Sequence, residues 1–220
     1  MQSSEFRTKD NLLEYFEKLI AYVNSKSFYN KDDCHFINNG DTLFPSLDKC
    51  AEFLKRIKPD DVQLVVVVRE PYNNGEATGI PLELDYTKSK PRSVIADYLT
   101  DLEVVEAAYA LHINDIFTGI NFNDYFGDGV LWYPTTLFSQ EGKIDHWRKY
   151  FLDFSRYFLK ALNKPVVSLG DSEVISLLDE DMKLLAPLPS NARRRDFINF
   201  KVFEKIKNKY GYDFVPNKKK

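Results

Sequence analysis

Val65-Val66-Val67-Val68-Arg69-Glu70-Pro71-Tyr72 puts a carboxylate at the end of four β-branched residues. An unbroken apolar run of that length reads as a strand covered on both faces, so Glu70 has a rigid mount. A carboxylate held there can orient a water molecule or stabilise a developing positive charge. A structural ion pair is the other role open to it. Gly75 and Gly79, which follow, are turn formers, and their spacing fits no P-loop. A second cluster, Arg193-Arg194-Arg195, comes shortly after Pro189-Ser190 and offers guanidinium groups either to solvent or to phosphate. A third group is Gly170-Asp171-Ser172, in which Asp171 suits a helix cap and Ser172 has a hydroxyl with which to bond a phosphate.

The surrounding pattern must hold these groups in place. Asp10 caps a predicted helix with apolar positions Leu12, Leu13, Phe16, Leu19, Ile20 and Val23. A second helix is predicted from Ser46 to Ile57, ended by Lys58-Pro59. Strands are predicted at Val62–Val68, Gly129–Tyr133, Pro165–Leu169 and Met182–Ala186. Helices are predicted at Pro91–Leu102, Glu103–His112, Ile144–Leu162, Asp171–Leu178 and Phe197–Tyr210. Trp147, Tyr150, Phe151, Phe154 and Phe158 read as the core-facing stripe of the long helix rather than as a stacking platform. Strands alternating with helices define an α/β class: a three-layer α/β/α fold with a mainly parallel four-stranded central sheet. Ligands of such sheets bind beyond the carboxyl ends of the strands, which selects residues 69–82, 134–138, 170–172 and 187–195.

Composition narrows the function classes. The 220 residues, 44% hydrophobic and 15% aromatic, suffice for one packed domain over 1–220, with a helical part (1–60), an α/β core (61–210) and a tail (211–220). No apolar run approaches the ~20 residues of a membrane span, and MQSSEFRTKD lacks the apolar core of a signal peptide. The expectation is a cytoplasmic protein without membrane contact. Cys34, Cys50, His35, His112 and His146 lack metal-ligand spacing, so no metal and no cofactor is expected. A net charge of −3 rules out a global basic field, so any contact with nucleic acid has to be local.

Taken together, four segments resemble the uracil-DNA glycosylase superfamily. Val68-Arg69-Glu70-Pro71-Tyr72-Asn73-Asn74-Gly75-Glu76-Ala77-Thr78-Gly79-Ile80-Pro81-Leu82-Glu83 is similar to its motif GQDPYHGPGQAHGLAFS, with Pro71 and Tyr72 in register and Gly75 and Gly79 matching its glycines across a gap of one residue. Gly129-Val130-Leu131-Trp132-Tyr133-Pro134, with Leu137 after it, is similar to QGVLLLN followed by LT. Val166-Val167-Ser168-Leu169-Gly170-Asp171 looks like the strand that ends in tryptophan-glycine. Leu188-Pro189-Ser190-Asn191-Ala192-Arg193-Arg194-Arg195-Asp196-Phe197 is similar to HPSPLSAHRGFFG. The likeness spans Val62 to Lys209, about two thirds of the chain. Its trimmed loops resemble the compact poxviral branch, whose members double as polymerase processivity subunits.

The resemblance implies double-stranded DNA with a flipped base as partner. It gives Glu70 the place of the water-positioning aspartate, and Tyr72 that of the tyrosine that excludes thymine. Other pocket positions depart from the family: Leu82 stands for the phenylalanine that stacks on uracil, Pro134 for the asparagine that reads its edge, and Leu188 for the histidine that supports the departing anion. Arg69 is a candidate replacement donor, unless strand alternation turns it away. Gly170, Ser172, Pro189, Ser190, Arg193, Arg194 and Arg195 fall where the family grips the DNA backbone. A pocket that keeps an acid but loses its directional groups fits a larger modified pyrimidine, such as glucosylated hydroxymethylcytosine of phage DNA, excised in antiviral defence. Two other readings stay open: a catalytically dead scaffold that binds DNA or a replication partner, and a hydrolase acting on free nucleotides.

Overall fold

The computed structural model describes residues 43–46, 49–50, 52–57, 59–69, 71, 77–79, 81, 129–140, 147–188 and 194–212. The helices expected around residues 12–23 and 91–112 lie outside these residues.

Strands β2 (Leu64–Val68), β3 (Val130–Pro134), β5 (Val166–Leu169) and β6 (Lys183–Ala186) form one sheet in the order β3-β2-β5-β6, with every pair parallel. Strand β2 has a neighbour on each side, and all five of its residues are buried. Its unbroken valine run follows from that position, because both of its surfaces face protein.

Side chains alternate across the sheet. Val65 and Val67 join Leu131, Tyr133 and Val166 on one face, under Trp147, Phe151, Phe158, Leu159 and Leu162 of helix α1 (Arg148–Leu162) and its entry. Phe53, Val174, Ile175 and Leu178 complete that layer. Leu64, Val66 and Val68 join Val130, Trp132, Val167, Leu169 and Ala186 on the other face, under Phe197, Val202 and Ile206 of helices α2 (Arg194–Phe200) and α3 (Val202–Tyr210). Aromatic rings lock the first layer. Tyr133 stacks on Phe158 at 5.0 Å and meets the Phe53 ring edge-on at 5.9 Å.

The expected three-layer α/β/α arrangement with a parallel four-stranded sheet is what forms, with four local differences. Phe197–Tyr210 is broken at Lys201, whose φ of 52° is left-handed. Phe197 and Val202 are five residues apart, about 500° of helix, so an unbroken helix would turn one of them from the sheet. The break restores the phase.

Asp171–Leu178 forms successive turns instead of a helix. Its bonds are short-range, from Ser176 N–H to the Glu173 carbonyl (3.2 Å) and from Leu178 N–H to the Ile175 carbonyl (3.2 Å). Val174, Ile175 and Leu178 are thereby drawn into the core.

In place of the helix expected over Ser46–Ile57, the described residues show short-range bonds from Lys49 N–H to the Ser46 carbonyl and from Glu52 N–H to the Lys49 carbonyl, and 3-10 helix at Glu52–Arg56, with a further 3-10 turn at Pro59–Asp61. Finally, β1 (Leu43–Phe44) and β4 (Ser139–Gln140) pair antiparallel over two residues, too few to leave a periodic signal.

Candidate functional site

Because all four strands run parallel, their carboxyl ends share one edge, where the chain leaves as Arg69, Thr135, Gly170 and Pro187. Of the residues singled out in the sequence, Arg69, Pro134, Gly170, Ser172 and Leu188 fall on or next to this edge. Arg194 and Arg195 form the first turn of α2. Glu70, Tyr72, Leu82, Pro189, Ser190 and Arg193 lie outside the described residues.

Arg69 is exposed just beyond β2, and Pro71 is half-buried. Gly79, in the same loop, is buried with φ of 92°. A Cβ there would collide with the Lys49 carbonyl, so Gly79 packs against Lys49 at a distance only glycine permits.

Pro134 pairs with Val68 in register. The Thr135 N–H donates to the Val68 carbonyl at 3.0 Å, so the odd-numbered residues of β3 bond to β2 and the nitrogen of Pro134 faces away. Proline therefore ends this edge strand at no cost in ladder bonds.

Behind Pro134 lies a buried relay. The Ser155 hydroxyl donates to the Thr135 carbonyl at 3.3 Å, and the Tyr133 hydroxyl lies 2.8 Å from the Ser155 oxygen. With the Ser155 proton committed, Tyr133 is the donor to Ser155. Burial pushes the Tyr133 phenol well above its ordinary range and the Ser155 bond offsets only part of this, so the phenol stays protonated. Thr136, also buried, donates to the Phe138 carbonyl at 3.1 Å.

The ends of β5 and β6 meet directly. Gly170 N–H donates to the Ala186 carbonyl at 2.8 Å, with φ at 86°. A Cβ on Gly170 would come within 2.9 Å of the Leu188 Cβ. Leu188 is half-buried against the second core layer. Two residues singled out separately in the sequence are thus in contact.

Asp171, next in the chain, accepts more hydrogen bonds than any other side chain of the edge among the described residues. It accepts two bonds from the Arg148 guanidinium (2.7 and 3.1 Å) and further bonds from the backbone N–H groups of Glu173 and Val174 (3.1 and 3.3 Å). The cap expected at Asp171 is present, although it starts turns rather than a helix. Its carbonyl accepts the Ser168 hydroxyl at 2.6 Å.

Arg148 reaches on to Glu173 at 2.8 Å, and Arg156 donates to the Glu173 carbonyl at 2.9 Å. Bonding to Asp171 raises the Arg148 guanidinium beyond its already high range, against the opposing pull of burial. Arg148, Ser155 and Thr135 were not foreseen. Arg148 stands 23 residues from its partner in the first turn of an aromatic helix, where nothing local marks it.

Among the described residues, no group of three or more His, Cys, Asp or Glu converges as a metal site, and no helix is long and apolar enough to cross a membrane.

This parallel four-stranded sheet between two helical layers has a fold similar to that of solved uracil-DNA glycosylases. The chain is similar to the crystal structure of mimivirus uracil-DNA glycosylase, with TM-score 0.54, 12% identity, and 87% of this chain matched to 72% of that one. It is similar to a point variant of mimivirus UNG in complex with UGI, with TM-score 0.57, 12% identity, and 98% of this chain matched to 90% of that one. A mutant UNG from Nitratifractor salsuginis is matched with TM-score 0.52 and 17% identity, over 76% of this chain and 80% of that one. No family model and no curated protein matches the chain.

Proposed function

We propose that this chain is a DNA glycosylase of the uracil-DNA glycosylase superfamily, acting as one domain in the cytoplasm. It hydrolyses the N-glycosidic bond of a flipped, bulky modified pyrimidine and leaves an abasic site. The observation that supports the reading is that the strands leading into the family-like segments all end on one sheet edge, in a fold similar to solved uracil-DNA glycosylases.

In this reading Glu70 holds the attacking water and stabilises positive charge on the sugar as the C1′–N bond breaks. The bonding electrons leave with the base, and the water proton passes to the carboxylate. Tyr72, Leu82, Pro134 and Leu188 wall the pocket, and Arg69 supplies a donor to the departing base. Ser172, Pro189, Ser190 and Arg193 to Arg195 hold the DNA backbone, and Gly170 lets it approach closely.

Support for a modified substrate comes from Pro134 and Leu188. Neither offers the directional hydrogen bond that reads a uracil edge or stabilises its anion. Losing one such donor costs on the order of 10²–10³ in rate, so unmodified uracil is a poor substrate. Glucosylated hydroxymethylcytosine of phage DNA is the substrate of choice, and antiviral defence the setting.

The same two residues favour the second reading, a DNA-binding or partner-binding scaffold without activity. Incubating the protein and Glu70→Ala with unmodified, uracil-containing and hypermodified phage DNA, followed by abasic-site detection and mass spectrometry of released bases, separates the two. A modified base released only by the unaltered protein is the expected result. No release from any DNA, with binding intact in both proteins, would establish the scaffold.

A further inference from the structure

We propose that Arg148 is the positioning residue of the DNA-backbone contact. It fixes the Gly170-Asp171-Ser172 turn and offsets part of the charge of two carboxylates that would otherwise repel a phosphate there more strongly. The inference rests on the DNA-binding part of the reading above.

The turn lies at the carboxyl edge, with Gly170 and Ser172 exposed. Gly170 spends its N–H on Ala186. Neither the Ser172 hydroxyl nor the Asp171 and Ser172 N–H groups has a hydrogen bond among the described residues. These are donors of the kind that hold phosphate oxygens. Yet the next groups along the chain are acidic: Asp171, with only 8% of its side chain exposed, and Glu173, at 58%. Unpaired carboxylates a few ångströms from a phosphate would cancel the attraction of neutral donors.

One guanidinium contacts both carboxylates. Arg148 is bidentate to Asp171 through Nε and Nη2 and reaches Glu173 through Nη1. It sits on α1, whose aromatic stripe is fixed in the core, so the turn takes its place from a rigid element. Arg156, two turns further along the same helix, holds the Glu173 carbonyl and so adds a second fixed point. Lysine could match the charge at Arg148 but not the planar two-point grip.

The test measures binding of a short fluorescent unmodified duplex at low salt, separately from base release. Arg148→Gln should weaken binding about tenfold, because one more uncompensated negative charge then faces the phosphate, and added salt should shrink the difference. Adding Asp171→Asn and Glu173→Gln to Arg148→Gln should restore binding to within about threefold, since the repelling charges are gone. A purely structural arginine predicts no such rescue.

If Arg148→Gln fails to fold, the exposed Glu173→Gln gives the reading alone and should tighten binding at low salt. Folded Arg148→Gln that binds as the parent does, a folded triple variant that does not recover, or unchanged affinity in Glu173→Gln overturns the proposal. A parent protein that binds the duplex with the expected Arg148 dependence but releases no base upholds it while the glycosylase reading falls. A parent that releases a base, with Arg148→Gln unchanged in affinity and KM, overturns this inference alone.

Discussion

The turn after β5 and the ends of β3 and β6 share one edge of the sheet, yet different forces hold them. At the turn, four hydrogen bonds converge on Asp171, two of them from one guanidinium, and a serine hydroxyl holds its carbonyl. At the strand ends stand Pro134, which bonds through neither its ring nor a backbone N–H, and Leu188, which meets Gly170 by shape. Hydrogen bonds to a charged group specify direction as well as distance. An apolar contact specifies only volume and tolerates change of shape. On the proposed function, the first arrangement suits a repeating phosphate and the second a bulky base whose edge is not read.

Substitutions should separate the two regions by how stability and selectivity respond. The largest loss is expected at Asp171→Ala, which strips Arg148 of its main partner and removes the cap over Glu173 and Val174. About 3 kcal/mol should be lost, seen as a fall of about 10 °C in the thermal midpoint. Gly170→Ala comes next, because it imposes a side chain at positive φ and drives it into Leu188; about 2 kcal/mol is expected from chemical denaturation. Ser155→Ala leaves the Tyr133 hydroxyl and the Thr135 carbonyl unmatched and should cost about 1–2 kcal/mol by the same measurement.

Leu188→Ala belongs to the other region. It should cost no more than about 1 kcal/mol, since the side chain is only half-buried, while, on the proposed function, changing which bases are released. A large stability loss with unaltered selectivity would erase the contrast.

The smallest effect is expected at Tyr210, far from the edge. Its hydroxyl is buried with no hydrogen-bond partner among the described residues. Burial, aided by Asp181, pushes its phenol from 10.0 up to about 12. The folded state then keeps a proton that the unfolded chain loses between about pH 10 and 12, so this contribution is full below pH 10 and lost as the pH rises to 12. Tyr210→Phe should be within about 0.5 kcal/mol of the parent at neutral pH. It should also flatten the alkaline limb of a stability–pH curve.

Burial is written residue by residue, and for that reason the α/β class, the four strands and the long aromatic helix could be read from apolar runs and periodicity alone. Leu64 to Val68 has no polar residue because β2 has no wet face, and Trp147, Phe151 and Phe158 recur at helical spacing because one side of α1 meets the sheet. The positions that end the strands followed from the same pattern, so Pro134, Gly170 and Leu188 could be assigned to one edge from the sequence. Where the pattern misled, it did so over short stretches: Asp171 to Leu178 and Ser46 to Ile57 have apolar residues at spacings that tight turns satisfy as well as a helix.

Pairing across the chain is another matter, since it depends on register and on the path of each crossover. Nothing near Arg148 announces Asp171, and nothing near Tyr133 announces Ser155, because each bond joins elements brought together only when the helix lies down on the sheet. The break at Lys201 has the same origin. Local propensity favours one helix there, but Phe197, Val202 and Ile206 must all reach a single sheet face, and burying three apolar side chains outweighs the cost of one left-handed residue.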